Sequence, residues 1–114
     1  MQVQLTFRSI PHSDALAFHV NRRAEKLERL FDRIISCHVV VELAGHHRSQ
    51  GERYRIAVNL GLPGHDILVN RASEDGFLDV ARETADRAFD QVERQLEAWV
   101  KRRRQDRHQD ARRT

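Results

Sequence analysis

Seven histidines and one cysteine are the side chains of this 114-residue sequence best suited to ligate a metal or start a nucleophilic reaction. A metal site needs several of them about 2 Å from a common point. His46 and His47 follow one alternating apolar run, and His65 follows the next. A strand of about eight residues spans roughly 25 Å, so these two groups fall at opposite ends of any sheet the runs form. They cannot share an ion. His12 and His19 have no acidic or thiol partner at ligand spacing. Cys37 falls on the inward side of its run and reads as a small buried hydrophobe. No P-loop, no glycine-rich dinucleotide fingerprint and no Gly-x-Ser-x-Gly elbow occurs. These residues therefore predict no enzyme, no metal and no cofactor.

The remaining chemistry is anion binding. From Lys101 to Thr114 there are seven Lys/Arg and two Asp, a local charge of +5. Residues 1–100 hold thirteen Lys/Arg against fifteen Asp/Glu, a sum of −2. The net +3 is thus concentrated at one end, where the run Lys101-Arg102-Arg103-Arg104 exceeds what a helix terminus needs. A second set, Arg22, Lys26, Arg29 and Arg33, recurs at steps of four, three and four, with an acidic stripe of Glu25, Glu28 and Asp32 beside it. Such cations attract nucleic acid or another anionic surface. The competing readings are a solvated tail and intrahelical ion pairs worth only tenths of a kcal/mol.

Two helices must carry these cations. In the stretch from Phe77 to Arg104, Ala81, Ala85, Ala88, Val92, Leu96 and Trp99 make one apolar stripe. Phe89 and Trp99 fit that period and read as core rather than as base-stacking platforms. The earlier helix is capped by Ser13 or Asp14 and turns Leu16, Val20, Ala24, Leu27, Leu30, Phe31 and Ile34 inward. Four strands complete the order. Val3, Leu5 and Phe7 alternate in the first, and Cys37, Val39, Val41 and Leu43 in the second. Tyr54, Ile56, Val58 and Leu60 mark the third, and Ile67 and Val69 the fourth. Turn-like composition fills Ala44 to Glu52 and the Pro63-Gly64 region.

The order β-α-β-β-β-α predicts an α+β fold, a four-stranded sheet with both helices on one face. The crossover helix makes the first strand parallel to the second, and the other three form an antiparallel meander. The outer sheet face would show Gln2, Gln4, Thr6, Arg8, His38, Val40, Glu42, Arg53, Arg55 and Asn59, largely polar. The expected domain is 1–104, with 105–114 a frayed or disordered basic tail. Hydrophobic residues are 39% and charged ones 32%, with no window apolar enough to span a membrane and no signal-peptide pattern. The lone cysteine suits a reducing cytosol.

Several stretches carry a family resemblance. They are Met1-Gln2-Val3-Gln4-Leu5, the run Lys26-Leu27-Glu28-Arg29-Leu30-Phe31-Asp32-Arg33-Ile34, then Val39-Val40-Val41-Glu42, and Glu93-Arg94-Gln95-Leu96. Over roughly residues 1–104 the chain resembles the short form of the ribosome hibernation-promoting factor and ribosome-associated translation inhibitor family (sigma-54 modulation proteins). The Leu62-Pro63-Gly64 turn is similar to one subgroup. The resemblance implies a non-enzymatic, cytoplasmic protein, monomeric when free. Its implied partner is the small ribosomal subunit, RNA and proteins, with no membrane and no small-molecule substrate. Members dock between head and body, where mRNA and tRNAs lie, blocking translation and protecting idle ribosomes.

Carried over by position, the implied RNA contacts are Arg22, Arg23, Lys26, Arg29 and Arg33 on the first helix. On the second they are Arg82, Arg87, Arg94, Lys101, Arg102, Arg103 and Arg104. Arg82 departs from the tyrosine many members place nearby. The family's long form adds a dimerising domain that this sequence lacks, so dimerisation of ribosomes by that route is not expected. Two other classes stay open. One is a general double-stranded RNA-binding module, whose usual α-β-β-β-α order lacks the first strand. The other is a protein-interaction module using the polar sheet face, for which the basic end would be dispensable.

Overall fold

Alternation and helical period resolve into six elements in a computed structural model that describes residues 1–47 and 51–113, the side chains of 45–47 and 108–113 excepted. They are β1 (Gln2–Arg8), α1 (Asp14–Leu30), β2 (Ser36–His47), β3 (Gly51–Leu62), β4 (His65–Ala72) and α2 (Leu78–Arg113). One mixed sheet has the order β1-β2-β3-β4. β1 pairs parallel to β2, as a right-handed helical crossover requires. β2, β3 and β4 form the antiparallel meander. The expected α+β architecture is thus the one found.

Strand alternation sets the core. Cys37, Val39 and Val41 of β2, Tyr54, Ile56, Val58, Leu60 and Leu62 of β3, and Ile67 and Val69 of β4 are buried on the helix side. Cross-strand register aligns Val39 with Val58 and Val58 with Val69, so the apolar rows meet face to face. α2 closes this surface with Ala81, Ala85, Ala88, Phe89, Val92 and Leu96, all fully buried. The alanines let its backbone approach the sheet, and Phe89 fills the space between. α2 packs on β3, β4 and α1, while α1 lies towards β1.

Several details differ from the sequence reading. Ser13 caps α1 as expected, its Oγ accepting from the Leu16 backbone N–H at 3.2 Å. The helix then stops at Leu30, not at Ile34. Phe31 turns extended at the C-cap and donates its own N–H to the Leu27 carbonyl. Phe31 and Ile34 continue the apolar period because both still face the core, but from a connecting loop rather than a helix. Gly45, His46 and His47 lie in β2 rather than in a turn, with a register shift between Leu43 and Gly45 absorbing the irregularity. Arg48, Ser49 and Gln50 of the expected turn lie outside the described residues.

The far end of that hairpin is tied down. Glu52 and Gly76 exchange backbone hydrogen bonds of 2.8 and 3.0 Å, which anchors the approach to α2. Gly51 has φ 89°, and a Cβ there would collide with the Gly76 carbonyl. Only glycine meets both demands.

α2 does not end where its apolar stripe does. It runs to Arg113, where fraying is expected after Arg104. The added residues contain neither glycine nor proline and include good helix formers. At 1.5 Å per residue the helix is about 54 Å long, which accounts for the 65 Å long axis of the molecule. The outer sheet face, expected to be largely polar, also carries an unforeseen apolar side chain. Leu68 is 69% exposed there, beside partly buried Val40 and Ala57.

Candidate nucleic-acid interface

The helical layer carries the cations, and the structure sorts them by partner. Arg22, Arg23, Lys26 and Arg29 of α1 and Arg82 of α2 line one open groove of ≈ 700 Å³. Helical spacing brings Arg22, Lys26 and Arg29 into line, with Arg23 turned towards α2, and the packing of α1 on α2 brings Arg82 opposite them. Phe18 also lines the groove, 66% exposed, with the Arg22 guanidinium 5.8 Å from its ring centre. It lies two residues past Leu16, off the buried stripe, which was the signal for its exposure.

Arg23 differs from its neighbours. Its side chain is 16% exposed. It donates to Asp86 Oδ1 and Asp90 Oδ1 at 2.7 Å each and to Glu93 Oε1 at 3.3 Å, all on α2. The ring of Phe89 lies 5.6 Å below. Burial pushes the guanidinium pKa down, but hydrogen bonds to Asp90 and Asp86 and the charge of Glu93 outweigh it, so the net shift is upward. Arg23 is therefore a cross-brace between helices, its charge already spent on three carboxylates. His19 joins the brace, its Nε2 lying 2.6 Å from Asp86 Oδ1. This is an acidic partner that local spacing did not reveal, because it comes from the other helix. Burial alone would raise the Asp86 pKa; hydrogen bonds from Arg23 and His19 hold it below the usual carboxylate range. His12 also meets a carboxylate, Asp14, at 2.9 Å on the surface.

The other candidates spread over the layer. Lys26 Nζ is 3.6 Å from Glu93, so part of its charge is compensated. Among the described residues, no carboxylate stands within ion-pair distance of Arg22, Arg29, Arg82, Arg87, Arg94 or Lys101 to Arg104. Arg87, Arg94 and Lys101 are exposed at steps of seven along α2. Lys101 and Arg104 line a further shallow recess beside Leu30. Arg33 is not on α1 at all. It sits in the loop after the helix, 5.4 Å from the Phe31 ring.

The basic end of α2 is built differently from expectation. Trp99 packs against the core but stays partly exposed at its margin. With His65, Arg102, Arg103, Asp106 and Arg107 it lines a recess of ≈ 550 Å³. Arg107 belongs to the basic end of the sequence, and helical continuation past Arg104 brings it here. Arg103 stacks on Trp99 at 5.1 Å and on Phe31 at 5.9 Å. Burial and the charges of Arg33 and Arg107 push its pKa down. Cys37 stays in the core, where burial lifts its thiol to about 11, far from a reactive thiolate at neutral pH. Among the described residues no group of three His, Cys, Asp or Glu is placed to hold a metal, and no helix is long and apolar enough to cross a membrane.

The model of the family described as Sigma 54 modulation protein / S30EA ribosomal protein matches residues 3–104. A ribosome hibernation promoting factor of Azotobacter vinelandii is 28% identical over 96 residues, covering 84% of this chain and 79% of its own. Among solved structures, the N-terminal domain of Thermus thermophilus Protein Y superposes with a TM-score of 0.69 at 26% identity, covering 87% of this chain and 99% of that one. A ribosomal subunit interface protein from Coxiella burnetii shares the fold, with a TM-score of 0.69 at 21% identity over 88% and 98% of the two chains.

Proposed function

The chain belongs to the Sigma 54 modulation protein / S30EA ribosomal protein family, and from that premise we propose that it binds the small ribosomal subunit in the mRNA/tRNA channel. There it inhibits translation and stabilises idle ribosomes, acting in the cytoplasm as a monomer and without catalysis. The observation that carries this reading is the helical layer of cations without carboxylate partners, from Arg22, Arg29 and Arg82 to Arg102, Arg103 and Arg104. Unpaired arginines keep their donors available for phosphate oxygens. Folded RNA is engaged largely through shape and backbone, which a rod-like array some tens of ångströms long suits. The parallel β1–β2 pair sets this fold apart from the usual double-stranded RNA-binding order.

The test is sedimentation of the protein with isolated small or large subunits through a gradient. Co-migration with small subunits, competed by tRNA together with mRNA, is expected. Preference for large subunits, or indifference to the competitors, would contradict the channel assignment.

A further inference from the structure

The chain turn after Leu30, the β3–β4 turn and the second half of α2 meet at one end of the molecule, and each brings one aromatic ring. Phe31 comes from the C-cap of α1, His65 opens β4, and Trp99 ends the apolar stripe of α2. Phe31 and Trp99 pack edge to face, their centres 5.2 Å apart and their planes at 82°. His65 lies nearly parallel to Trp99, at 6.1 Å and 7°. Helical spacing then adds guanidiniums: Arg103 follows Trp99 by four residues and Arg107 follows Arg103 by four.

The recess lined by His65 and Trp99 is open to solvent and combines flat aromatic surface with three cations, Arg102, Arg103 and Arg107, against one carboxylate, Asp106. Among the described residues none of those cations has an ion-pair partner. Arg103 is held by rings instead of by hydrogen bonds. Its Nε is buried with no partner, as is that of Arg23, so the two differ in the carboxylates that meet the terminal amino groups of Arg23. A residue packed for stability alone would bury Trp99 and pair Arg103, as Phe89 is buried and Arg23 is paired. The volume of ≈ 550 Å³ lies within the range of about 300–1,000 Å³ usual for small-ligand clefts. Stacking of a base on an aromatic ring beside an arginine is the mode by which unpaired RNA is held.

We propose that this recess is a subsite for one unpaired RNA nucleotide, whose base stacks on His65 and Trp99 and whose phosphate is held by Arg102, Arg103 and Arg107. The proposal rests on the ribosome reading and adds a contact of a different kind: a splayed base in addition to backbone phosphates.

Trp99 is the only tryptophan, so its fluorescence reports the recess directly. The full chain is titrated with hexa-adenylate, with an abasic oligomer of equal length and charge, and with AMP. Hexa-adenylate is expected to quench Trp99 saturably, and the abasic oligomer, which can engage only the arginines beside the ring, to give a smaller response at roughly tenfold weaker affinity. His65→Ala, at an exposed position, is expected to weaken hexa-adenylate binding roughly tenfold, one aromatic–base stack, with an unchanged melting curve. Equal responses to both oligomers would overturn the base-stacking assignment. Quenching by AMP as strong as by the oligomer would assign the recess to a free nucleotide and overturn the RNA assignment. Sedimentation with small subunits runs in parallel. Co-migration without quenching by hexa-adenylate sinks the subsite and leaves the ribosome reading; quenching without co-migration upholds the subsite and sinks that reading.

Discussion

Arg23 and Arg103 each hold a guanidinium over an aromatic ring, 5.6 Å from Phe89 in one case and 5.1 Å from Trp99 in the other. Around Arg23 the facing helix supplies Asp86, Asp90 and Glu93. Around Arg103 no such carboxylate stands among the described residues; burial first, and then the charges of Arg33 and Arg107, move its pKa in the opposite direction. The seam between the helices has therefore neutralised its cation for stability, while the far end of α2 has gathered cations at an electrostatic cost. Local repulsion of that kind is relieved when a polyanion binds. A cation's role in this protein is thus set by what the opposite element offers it, not by its position on a stripe.

The largest expected effect tests the far end. Reversing Arg102, Arg103 and Arg104 together to glutamate changes the charge there by six units, and small-subunit affinity at low salt should fall on the order of a hundredfold or more. The melting midpoint should stay in place, since these residues pack on no core element beyond the rings of Phe31 and Trp99. Unchanged co-sedimentation of that variant would erase the contrast between the two ends.

Single alanines sharpen it. Arg23→Ala leaves three carboxylates on one face of α2 without their arginine and should destabilise the fold by about 1–3 kcal/mol, nearer the lower figure because Asp90 is half exposed. That is a drop of several degrees in melting temperature, read by circular dichroism. Its RNA affinity, measured where it is folded, should hardly change. Arg103→Ala should do the reverse. In the groove, Arg29→Ala should weaken binding more than Lys26→Ala, because Glu93 already occupies part of the Lys26 charge. Each lost phosphate contact should also make the salt dependence shallower by about one unit of slope.

The smallest effect is a pH dependence confined to the seam. The Asp86 pKa is lowered in the folded protein, so its contribution is fully present above the ordinary carboxylate value of about 4. It is lost as pH falls through the lowered folded value. The difference in melting temperature between wild type and Asp86→Asn should therefore be greatest near neutrality and vanish in acid. A constant difference across that range would assign the Asp86 effect to packing instead of charge.

Much of the fold could be read in the sequence because each strand alternates cleanly and each helix has one stripe. Val39, Val58 and Val69 had only one way to meet. The end of α1 was not legible: Phe31 and Ile34 keep the helical period while the backbone has already turned extended. Arg33 moved off the stripe with them. The true length of α2 was hidden because packing, which ends near Trp99, is not what sustains its last turns. Arg22 and Arg23 look alike as neighbours in sequence. The carboxylates that separate them lie on another helix more than sixty residues on. Trp99 fits the apolar period, yet it packs against the margin of the core and keeps part of its ring exposed. These are tertiary facts, and no local pattern contains them.

The central claim is that unpaired helix cations bind ribosomal phosphates, and the salt dependence of small-subunit affinity tests it most directly. Wild-type protein should show a linear fall of log affinity with log salt, and the triple charge reversal a slope shallower by about two to three units, some 0.7–0.9 per lost phosphate. A flat response, or the same slope in both proteins, would contradict the account and place the binding energy elsewhere on the molecule.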